Sequence, residues 1–311
     1  MTENIKARLA LITSVVIWGV TFISMKIILS EMPPITSNVV RFVLGSVVLW
    51  ILLKIKEPKA RFQWHWLKPM FWTGFFGVTI YYAFEGLGLD RLDASTSALI
   101  MGTVPLLTLL IDRGISKEKI KPREWALFSL SSVGILFTVI AEWKFQQSLD
   151  AFLGIFFLGI ASFGWVMYTV LTARVDDRMS SLQVLTYQTT LGAIFLLPGM
   201  VFEPFDLVGW FMHDPQMPMA MGHLLFLVIG STVIAYYLYL YSFRIIGAAE
   251  SSLYINIVPL VALFLGTTLL GERLSVEKLL GAACIIMAVF LSEWLNQRSE
   301  NLNNKKTASI E

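Results

Sequence analysis

The feature that most constrains this chain is a succession of ten long apolar runs. Each has roughly the 17 to 25 residues that a helix needs to cross a hydrocarbon core about 30 Å thick. The runs cover residues 9–29, 36–53, 69–89, 94–111, 125–141, 152–173, 182–202, 221–243, 251–270 and 279–295. Backbone groups in lipid must be satisfied within the spanning segment, and the runs lack the alternation of barrel strands, so they predict transmembrane helices.

Composition agrees with a multi-pass membrane protein. Hydrophobic residues make up 56% of the 311 positions and charged residues 15%, against about a quarter in soluble domains. The single cysteine, Cys284, allows no disulfide within the chain, and the histidines are scattered. We therefore predict neither a metal site nor another cofactor.

Lysine and arginine in the connecting segments predict the orientation of the chain. With the amino terminus in the cytoplasm, eighteen of these residues lie on the cytoplasmic side and four outside, and the reverse orientation would invert the ratio. Both termini are therefore predicted to be cytoplasmic, and the net charge of +2 indicates orientation rather than nucleic-acid binding. The first run lacks a small-residue cleavage site, so we expect a retained helix rather than a signal peptide.

The sequence also repeats itself. A shift of 154 positions places residues 94–110 on residues 248–264, with Pro105 on Pro259. Each half then holds five helices, and an odd number per half forces the halves into opposite orientations. We therefore predict an all-α membrane protein of ten transmembrane helices, built as two inverted five-helix repeats. The predicted divisions are 1–144, 145–296 and a disordered cytoplasmic tail, 297–311.

The repeat aligns two pairs of residues whose roles can then be considered together. Pro105 and Pro259 each remove a backbone hydrogen bond inside a helix, so they are either bending points during alternation or static kinks that ease packing. Glu118 and Glu272 align just beyond the same helices. We expect each carboxylate to cap the next helix or to pair with a neighbouring basic residue.

Several short motifs resemble those of one known family. They are Trp18 with Gly19, Lys26, Arg41 with Phe42, Ala94, Pro105 and Glu118, with the second-half echoes Ala248, Pro259, Gly271, Glu272 and Arg273. In this combination the chain resembles the drug/metabolite transporter superfamily, specifically its EamA-like ten-helix branch, over nearly its whole length. The resemblance implies an inverted-repeat bundle in the bacterial inner membrane that commonly exports amino acids, metabolites or toxic compounds. It names no substrate.

Three ionisable residues lie near the outer ends of three predicted helices. Lys26, Arg41 and Glu85 come to a similar depth, roughly 5 to 8 Å from the outer face at about 1.5 Å per residue. In one interpretation Lys26 and Arg41 snorkel to headgroups or water, Glu85 pairs with one of them, and the set locks the three helices together. In the other interpretation the three residues line an outward-facing vestibule. Helical spacing favours an inward direction, and we expect Lys26 to pair with Glu85. The motifs of the family do not account for Glu85, which makes it the candidate for substrate or proton handling.

Aromatic residues suggest the rest of a pocket. Some of them lie nearer mid-depth than an interfacial belt would place them. Asn256 is an isolated amide in an apolar stretch, and its alternative role is a hydrogen bond between helices. The candidate substrate-binding residues are Trp18, Lys26, Arg41, Tyr82, Glu85, Trp165, Tyr168, Tyr237 and Asn256, with Pro105 and Pro259 as candidate hinges.

Together these features predict a secondary transporter that works by alternating access, and the family resemblance implies that it exports a small metabolite, amino acid or drug-like compound. A passive channel or a lipid-handling membrane protein is the alternative. An enzyme is not expected, because the close acidic spacing of Asp90 and Asp93 has no matching partner and no nearby histidine. The predicted partners are the solute, the lipid bilayer and protons as a coupling ion, with the chain as monomer or homodimer. Positive charge near the outer side favours carboxylate-bearing solutes, whereas an aromatic pocket also suits hydrophobic cations.

Overall fold

The computed structural model describes residues 3–60, 63–115, 122–146, 149–213, 215 and 217–307. Within these ranges the chain is helical and holds no β-strand. The helices of the first half are α1 (Glu3–Leu29), α2 (Pro34–Lys56), α3 (Leu67–Gly74), α4 (Tyr81–Arg91), α5 (Ala94–Met101), α6 (Val104–Ile115) and α7 (Pro122–Gln146). Those of the second half are α8 (Leu149–Thr172), α9 (Ser181–Leu196), α10 (Leu207–His213), α11 (Met217–Leu225), α12 (Tyr236–Ile255), α13 (Ile257–Leu269) and α14 (Val276–Thr307).

Two segments of π-helix lie at corresponding places in the two halves. Phe75–Ile80 joins α3 to α4, and Phe226–Ala235 joins α11 to α12. Each therefore interrupts the third predicted span of its half. Because a π turn takes in one residue more than an α turn, it changes the face that the following helix presents to its neighbours.

Six helical stretches within the described residues are long and apolar enough to cross a membrane. They are Glu3–Leu29, Pro34–Lys56, Pro122–Glu142, Leu149–Thr172, Ser181–Phe202 and Met217–Gly247. Shorter apolar helices lie at Ala94–Thr108 and Ile257–Leu269, and the two remaining predicted runs fall on α3–α4 and on α14. All ten predicted runs thus coincide with helical segments, and the prediction of an all-α membrane protein is confirmed.

Two spans are broken at matched positions. α5 ends at Met101 and α12 ends at Ile255, and Pro105 and Pro259 each follow four residues later. Proline has no N–H, so the carbonyls of Met101 and Ile255 lose their usual helical donors and the helix ends there. Both prolines lie in the first turn of the next helix, where an N–H has no helical acceptor in any case. The predicted interruption is confirmed, whereas a hinge role for the prolines stays a prediction.

The two halves pack through equivalent helices. α1, the first helix of the first half, packs on α12, and α8, the first helix of the second half, packs on α4. α2 packs on α9, α5 on α13 and α7 on α14, and each of these pairs joins the same span of the two halves. These contacts map onto one another when the halves are exchanged, as a repeat with a pseudo-twofold axis requires.

The last helix extends further than the sequence suggested. α14 runs to Thr307, so residues 297–307 are helical, which differs from the disordered tail that we predicted. Extending an existing helix is easier than starting one, because nucleation carries most of the entropic cost. The predicted boundary at residue 144 falls inside α7, which ends at Gln146, and this boundary stays a prediction.

Close approach of α1 to α13 depends on Gly19. A Cβ added at this glycine would lie 2.5 Å from Cβ of Val261 and 3.2 Å from the carbonyl oxygen of Val258. We therefore expect Gly19→Val to lower the melting temperature of the purified protein, with an overpacking cost of about 1–3 kcal/mol. Gly159→Val is the matched control, because a Cβ at Gly159 would meet nothing within 4 Å. Equal melting temperatures for the two variants would contradict this account of the contact.

Candidate functional site

A small cavity lies where the two halves meet. It has a volume of about 50 Å³ and is lined by residues of α1, α4, α5, α8 and α13 and by residues at the two helix breaks. A cavity of this size holds a few water molecules rather than a metabolite. Its large and charged lining residues are Trp18, Phe22, Tyr81, Tyr82, Glu85 and Trp165. The described structure therefore shows this candidate site in a closed form.

The cavity brings together four residues that the sequence marked as candidates. Trp18, Tyr82, Glu85 and Trp165 all line it. Tyr168 is buried beside the cavity lining, with its ring centroid 5.3 Å from that of Trp165. The substrate-binding role of these residues stays a prediction, but three helices, α1, α4 and α8, bring them together.

The two helix breaks also meet at the cavity. Gly102, just after α5, and Pro259, in the first turn of α13, both line it. A Cβ added at Gly102 would come 2.8 Å from Cγ of Pro259, so the glycine makes room for the proline ring. Asn256 lies at the second break, and the shift of 154 positions relates it to Gly102. Pro105 falls in α6, and its side chain is outside what the structure describes.

A tyrosine pair joins equivalent points of the two halves. The hydroxyl of Tyr82 donates a hydrogen bond to the hydroxyl of Tyr236 at 2.8 Å, and the shift of 154 positions relates the two residues. Sequence reasoning missed Tyr236, although applying the repeat shift to Tyr82 would have found it. The candidate Tyr237 instead is 42% exposed and does not line this cavity, and its role in substrate binding stays a prediction. Successive helical residues point about 100° apart, so neighbours in sequence face different surroundings.

We expect the two tyrosine hydroxyls to be energetically coupled. Tyr82→Phe, Tyr236→Phe and the double variant should give a coupling of about 0.5–1.5 kcal/mol in the free energy of unfolding, the net worth of a hydrogen bond. The same cycle with Tyr82→Phe and Tyr239→Phe is the control, because the Tyr239 ring packs on Trp18 instead. Strictly additive effects in the first cycle would refute the coupling.

Aromatic rings pack around the cavity, some edge to face and others at a tilt. Trp18 and Trp165, each near the middle of the first helix of its half, are perpendicular, with centroids 5.5 Å apart. Trp18 also packs on Tyr236 and Tyr239 at 5.0 Å, and Trp165 packs on Tyr81 at 4.9 Å. Such pairs contribute about 0.5–1.5 kcal/mol each beyond the area they bury. The cluster stabilises the closed centre of the bundle.

Glu85 carries the carboxylate of the cavity. Among the lining residues that the structure describes it is the one acidic side chain, and it is 4% exposed. The Tyr81 hydroxyl donates a hydrogen bond to its Oε1 at 3.2 Å. Within the described ranges, no lysine or arginine nitrogen lies within 4.0 Å of this carboxylate. A carboxylate at membrane depth without an ion pair is costly, so it indicates a functional group.

Lys26 does not pair with Glu85, which corrects our prediction. Its Nζ donates hydrogen bonds to the carbonyl oxygens of Leu89 at 2.8 Å, Asp90 at 3.2 Å and Leu92 at 2.8 Å. These carbonyls lie at the end of α4, where helical N–H donors run out and the helix dipole is negative. All three N–H donors of the ammonium group are thereby used. Lys26 therefore holds the predicted outer end of the bundle rather than the cavity.

Arg41 is fully buried between α2 and the second π segment. Its Nε donates to Thr232 Oγ1 and its Nη2 to Ser231 Oγ, each at 2.9 Å. The guanidinium carbon lies 4.6 Å from the ring centroid of Tyr82 and 4.9 Å from that of Phe42. Its Nη1 has no hydrogen-bond partner in the part of the chain that the structure describes, and the two rings stabilise the charge. Arg41 thus neither snorkels to headgroups nor lines the cavity.

On the predicted outer side, Glu272 caps a helix of the other half. Its carboxylate accepts hydrogen bonds from the backbone N–H of Ala94 at 2.6 Å and of Ser95 at 3.1 Å, and from the Ser95 hydroxyl. Lys278 donates to Asp93 Oδ2 at 2.8 Å and to Ser95 Oγ at 3.0 Å. The prediction that Glu272 caps the following helix is wrong, because the N-terminus of α5 offers it free N–H groups and a positive dipole.

These contacts hold the turn between α4 and α5 from two sides. Lys26 binds it from α1, and Glu272 and Lys278 bind it from the second half. Glu118, the repeat counterpart of Glu272, lies outside the described residues. We refer to the set as the outer clasp, which consists of Lys26, Asp93, Ser95, Glu272 and Lys278.

Glu203 makes a similar cap on a neighbouring helix. Its carboxylate accepts hydrogen bonds from the backbone N–H of Ile35 at 3.0 Å and of Thr36 at 2.8 Å, at the start of α2. None of the described residues of α2 lines the cavity. Glu203 and Glu272 are thus chemically matched caps that differ in their relation to the cavity.

A larger cavity lies at the predicted cytoplasmic end. It has a volume of about 460 Å³ and lies between the end of α8, the start of α9 and the part of α12 that precedes the kink at Gly247, with Asp177 and Arg244 in its lining. Beside it, Asp176 accepts hydrogen bonds from Nε and Nη2 of Arg178, which hold the pKa of this carboxyl well below its usual range. Among the described residues, the larger of these two cavities thus lies at the predicted cytoplasmic end, whereas the outer clasp joins the two halves at the opposite end.

Comparison with known proteins gives consistent matches over nearly the whole chain. The model of the EamA-like transporter family matches twice, at residues 5–140 and 152–294. The uncharacterized transporter YoaV of Bacillus subtilis (strain 168) is 23% identical over 301 residues, covering 94% of this chain and 99% of that protein. An uncharacterized transporter of Archaeoglobus fulgidus is 27% identical over 294 residues, covering 93% and 98%. A solved crystal structure is similar in fold, with a TM-score of 0.65 at 19% identity, covering 94% of this chain and 98% of that one.

Proposed function

This chain belongs to the EamA-like transporter family, and on that premise we propose that it exports a small solute by alternating access through the cavity between its halves. It is a membrane transporter and not an enzyme. The observation that carries the proposal is that residues of both halves line the cavity, while the outer clasp joins the same halves. A centre shared by two inverted repeats is exposed to each side in turn when one repeat rocks against the other.

The direction and location in this proposal rest on charge and on the clasp. Excess positive charge in the predicted inner segments supports a bacterial inner-membrane protein with both termini in the cytoplasm. With the clasp closed and open space on the cytoplasmic side, the solute enters from the cytoplasm, and export follows when the clasp releases. One chain supplies the whole cavity, so the proposal requires no second copy, whether the protein is a monomer or a homodimer.

Protons are the proposed source of energy. Glu85 is buried, lines the cavity and has no ion pair among the described residues. Because no ion pair neutralises its carboxylate there, Glu85 is the group that would bind a proton. The ionisable side chains that face it are Tyr81 and Tyr82 on its own helix and Arg41 on α2. A proton bound at Glu85 on one side of the membrane and released on the other would couple the gradient to transport.

The test begins with a resistance and secretion screen of cells that overproduce the protein. Each hit is then measured in proteoliposomes by counterflow, which records the exchange of labelled for unlabelled solute. Saturable counterflow supports alternating access. Flux that does not saturate would identify a passive channel, and absence of transport for every hit would overturn the proposal.

A further inference from the structure

The lining of the central cavity combines ring faces with one negative charge. Trp18, Tyr81, Tyr82 and Trp165 supply the aromatic surface, and Glu85 supplies the carboxylate. No lysine, arginine or histidine occurs among the lining residues that the structure describes. Aromatic faces and a carboxylate both attract positive charge, and tryptophan is the strongest cation–π partner among the side chains.

The Glu85 carboxylate has hydrogen-bonding capacity to spare. A carboxylate offers about four lone-pair sites. In the described structure one of them is used, by the Tyr81 hydroxyl at 3.2 Å, which is longer than the usual range of about 2.5–3.0 Å for an O–H···O hydrogen bond. A positively charged donor entering the cavity would thus find an acceptor that is buried and under-satisfied.

The two cations near the cavity are not among its described lining residues. Lys26 uses all its donors on the carbonyl oxygens at the end of α4. Arg41 is bonded to Ser231 and Thr232 and lies against the ring of Tyr82, and it does not line the cavity. An anionic solute would therefore meet Glu85 and no free positive group among the described lining residues.

We infer that the cavity recognises an organic monocation, in which an ammonium group binds Glu85 and an attached hydrophobic or aromatic body packs on Trp18 and Trp165. This inference rests on the proposed function and names its substrate class. The closed cavity of about 50 Å³ has room for the ammonium group, and the body of the solute is admitted as the helices separate. Amines and quaternary ammonium compounds with one apolar group fit this description.

Three probes with the same phenyl group separate the possible charge preferences. 2-Phenylethylamine carries only an ammonium group, 3-phenylpropionate only a carboxylate, and phenylalanine both. Binding to the full-length protein in detergent is measured by calorimetry and by quenching of tryptophan fluorescence. We expect 2-phenylethylamine to bind more tightly than either of the other probes by at least about tenfold, and Glu85→Gln to remove that preference.

The variants are chosen so that misfolding is not mistaken for loss of the site. Glu85→Asp keeps the charge and should retain part of the preference, whereas Glu31→Gln makes the same chemical change in the turn after α1 and should leave it intact. Tighter binding of phenylpropionate or phenylalanine would overturn the inference, as would saturable binding of none of the three. Either result leaves the proposed transport intact if the hits of the secretion screen still show saturable counterflow, so the two failures are distinguishable.

Discussion

Glu85→Gln is expected to abolish accumulation driven by a pH gradient, with a loss of about 100-fold or more in rate, equivalent to about 2.7 kcal/mol. The amide keeps the size and hydrogen-bonding ability of the side chain but cannot bind or release a proton. Because Glu85 is the one acidic side chain among the described lining residues, the closed cavity offers no other carboxylate to take over. The measurement is uptake of the identified solute into proteoliposomes with an imposed pH gradient.

Two controls make this result specific. The solute is supplied at a concentration that saturates the variant, so that weaker binding does not explain a loss of rate. Glu31→Gln replaces a carboxylate in the turn after α1, outside the cavity lining, and should retain the rate of the natural protein. Undiminished gradient-driven uptake by Glu85→Gln would end the proposal that protons couple through this residue.

Glu272→Ala is expected to open the predicted outer side. The change removes the acceptor for the N–H groups of Ala94 and Ser95, and loss of a helix cap costs about 0.5–2 kcal/mol. If the clasp forms only in the closed state, a shift of that size multiplies the outward-open population by up to about 30-fold, at about 1.4 kcal/mol per tenfold. The population is read from labelling of a cysteine at position 21 by a membrane-impermeant maleimide added outside.

The chain is well suited to this measurement. Its single cysteine allows a cysteine-free background through Cys284→Ser, and Thr21→Cys then places one thiol on a small side chain at a cavity-lining position. Glu203→Ala is the matched control, because it removes the same kind of cap from α2, which has no described residue in the cavity lining. Faster labelling is expected for Glu272→Ala only. Equal labelling rates in both variants would show that the clasp does not govern access.

Most of the fold could be predicted because it follows from local rules. Apolar runs long enough to span a bilayer must be helical in lipid, and each helix that ends four residues before Pro105 or Pro259 ends where proline cannot donate. The repeat was visible because 154 positions relate whole segments. These properties depend on residue order and on backbone hydrogen bonding. They can therefore be predicted without knowing which helices pack against each other.

The partners of polar groups could not be predicted in the same way. Lys26 and Glu85 have opposite charges at similar depth, which predicts an ion pair between them. In the structure, however, Lys26 binds the free carbonyl oxygens at the end of α4. Glu272 was assigned to its own half, yet the N-terminus of α5 across the interface was within its reach. Helix ends carry partial charges, and the side chains that reach them can be identified only when the packing of the helices is known.

The sequence by itself determined that the chain is a helical membrane protein in two repeated halves, because the hydrocarbon core allows few other structures. Tertiary structure alone decided that Lys26 binds the carbonyl oxygens at the end of α4 rather than Glu85, and that the cavity which Glu85 lines has no lysine or arginine among its described lining residues. Rotation of each helix about its axis is set by side-chain packing between helices. A rotation of one residue, about 100°, separates a residue that lines the site from one that does not.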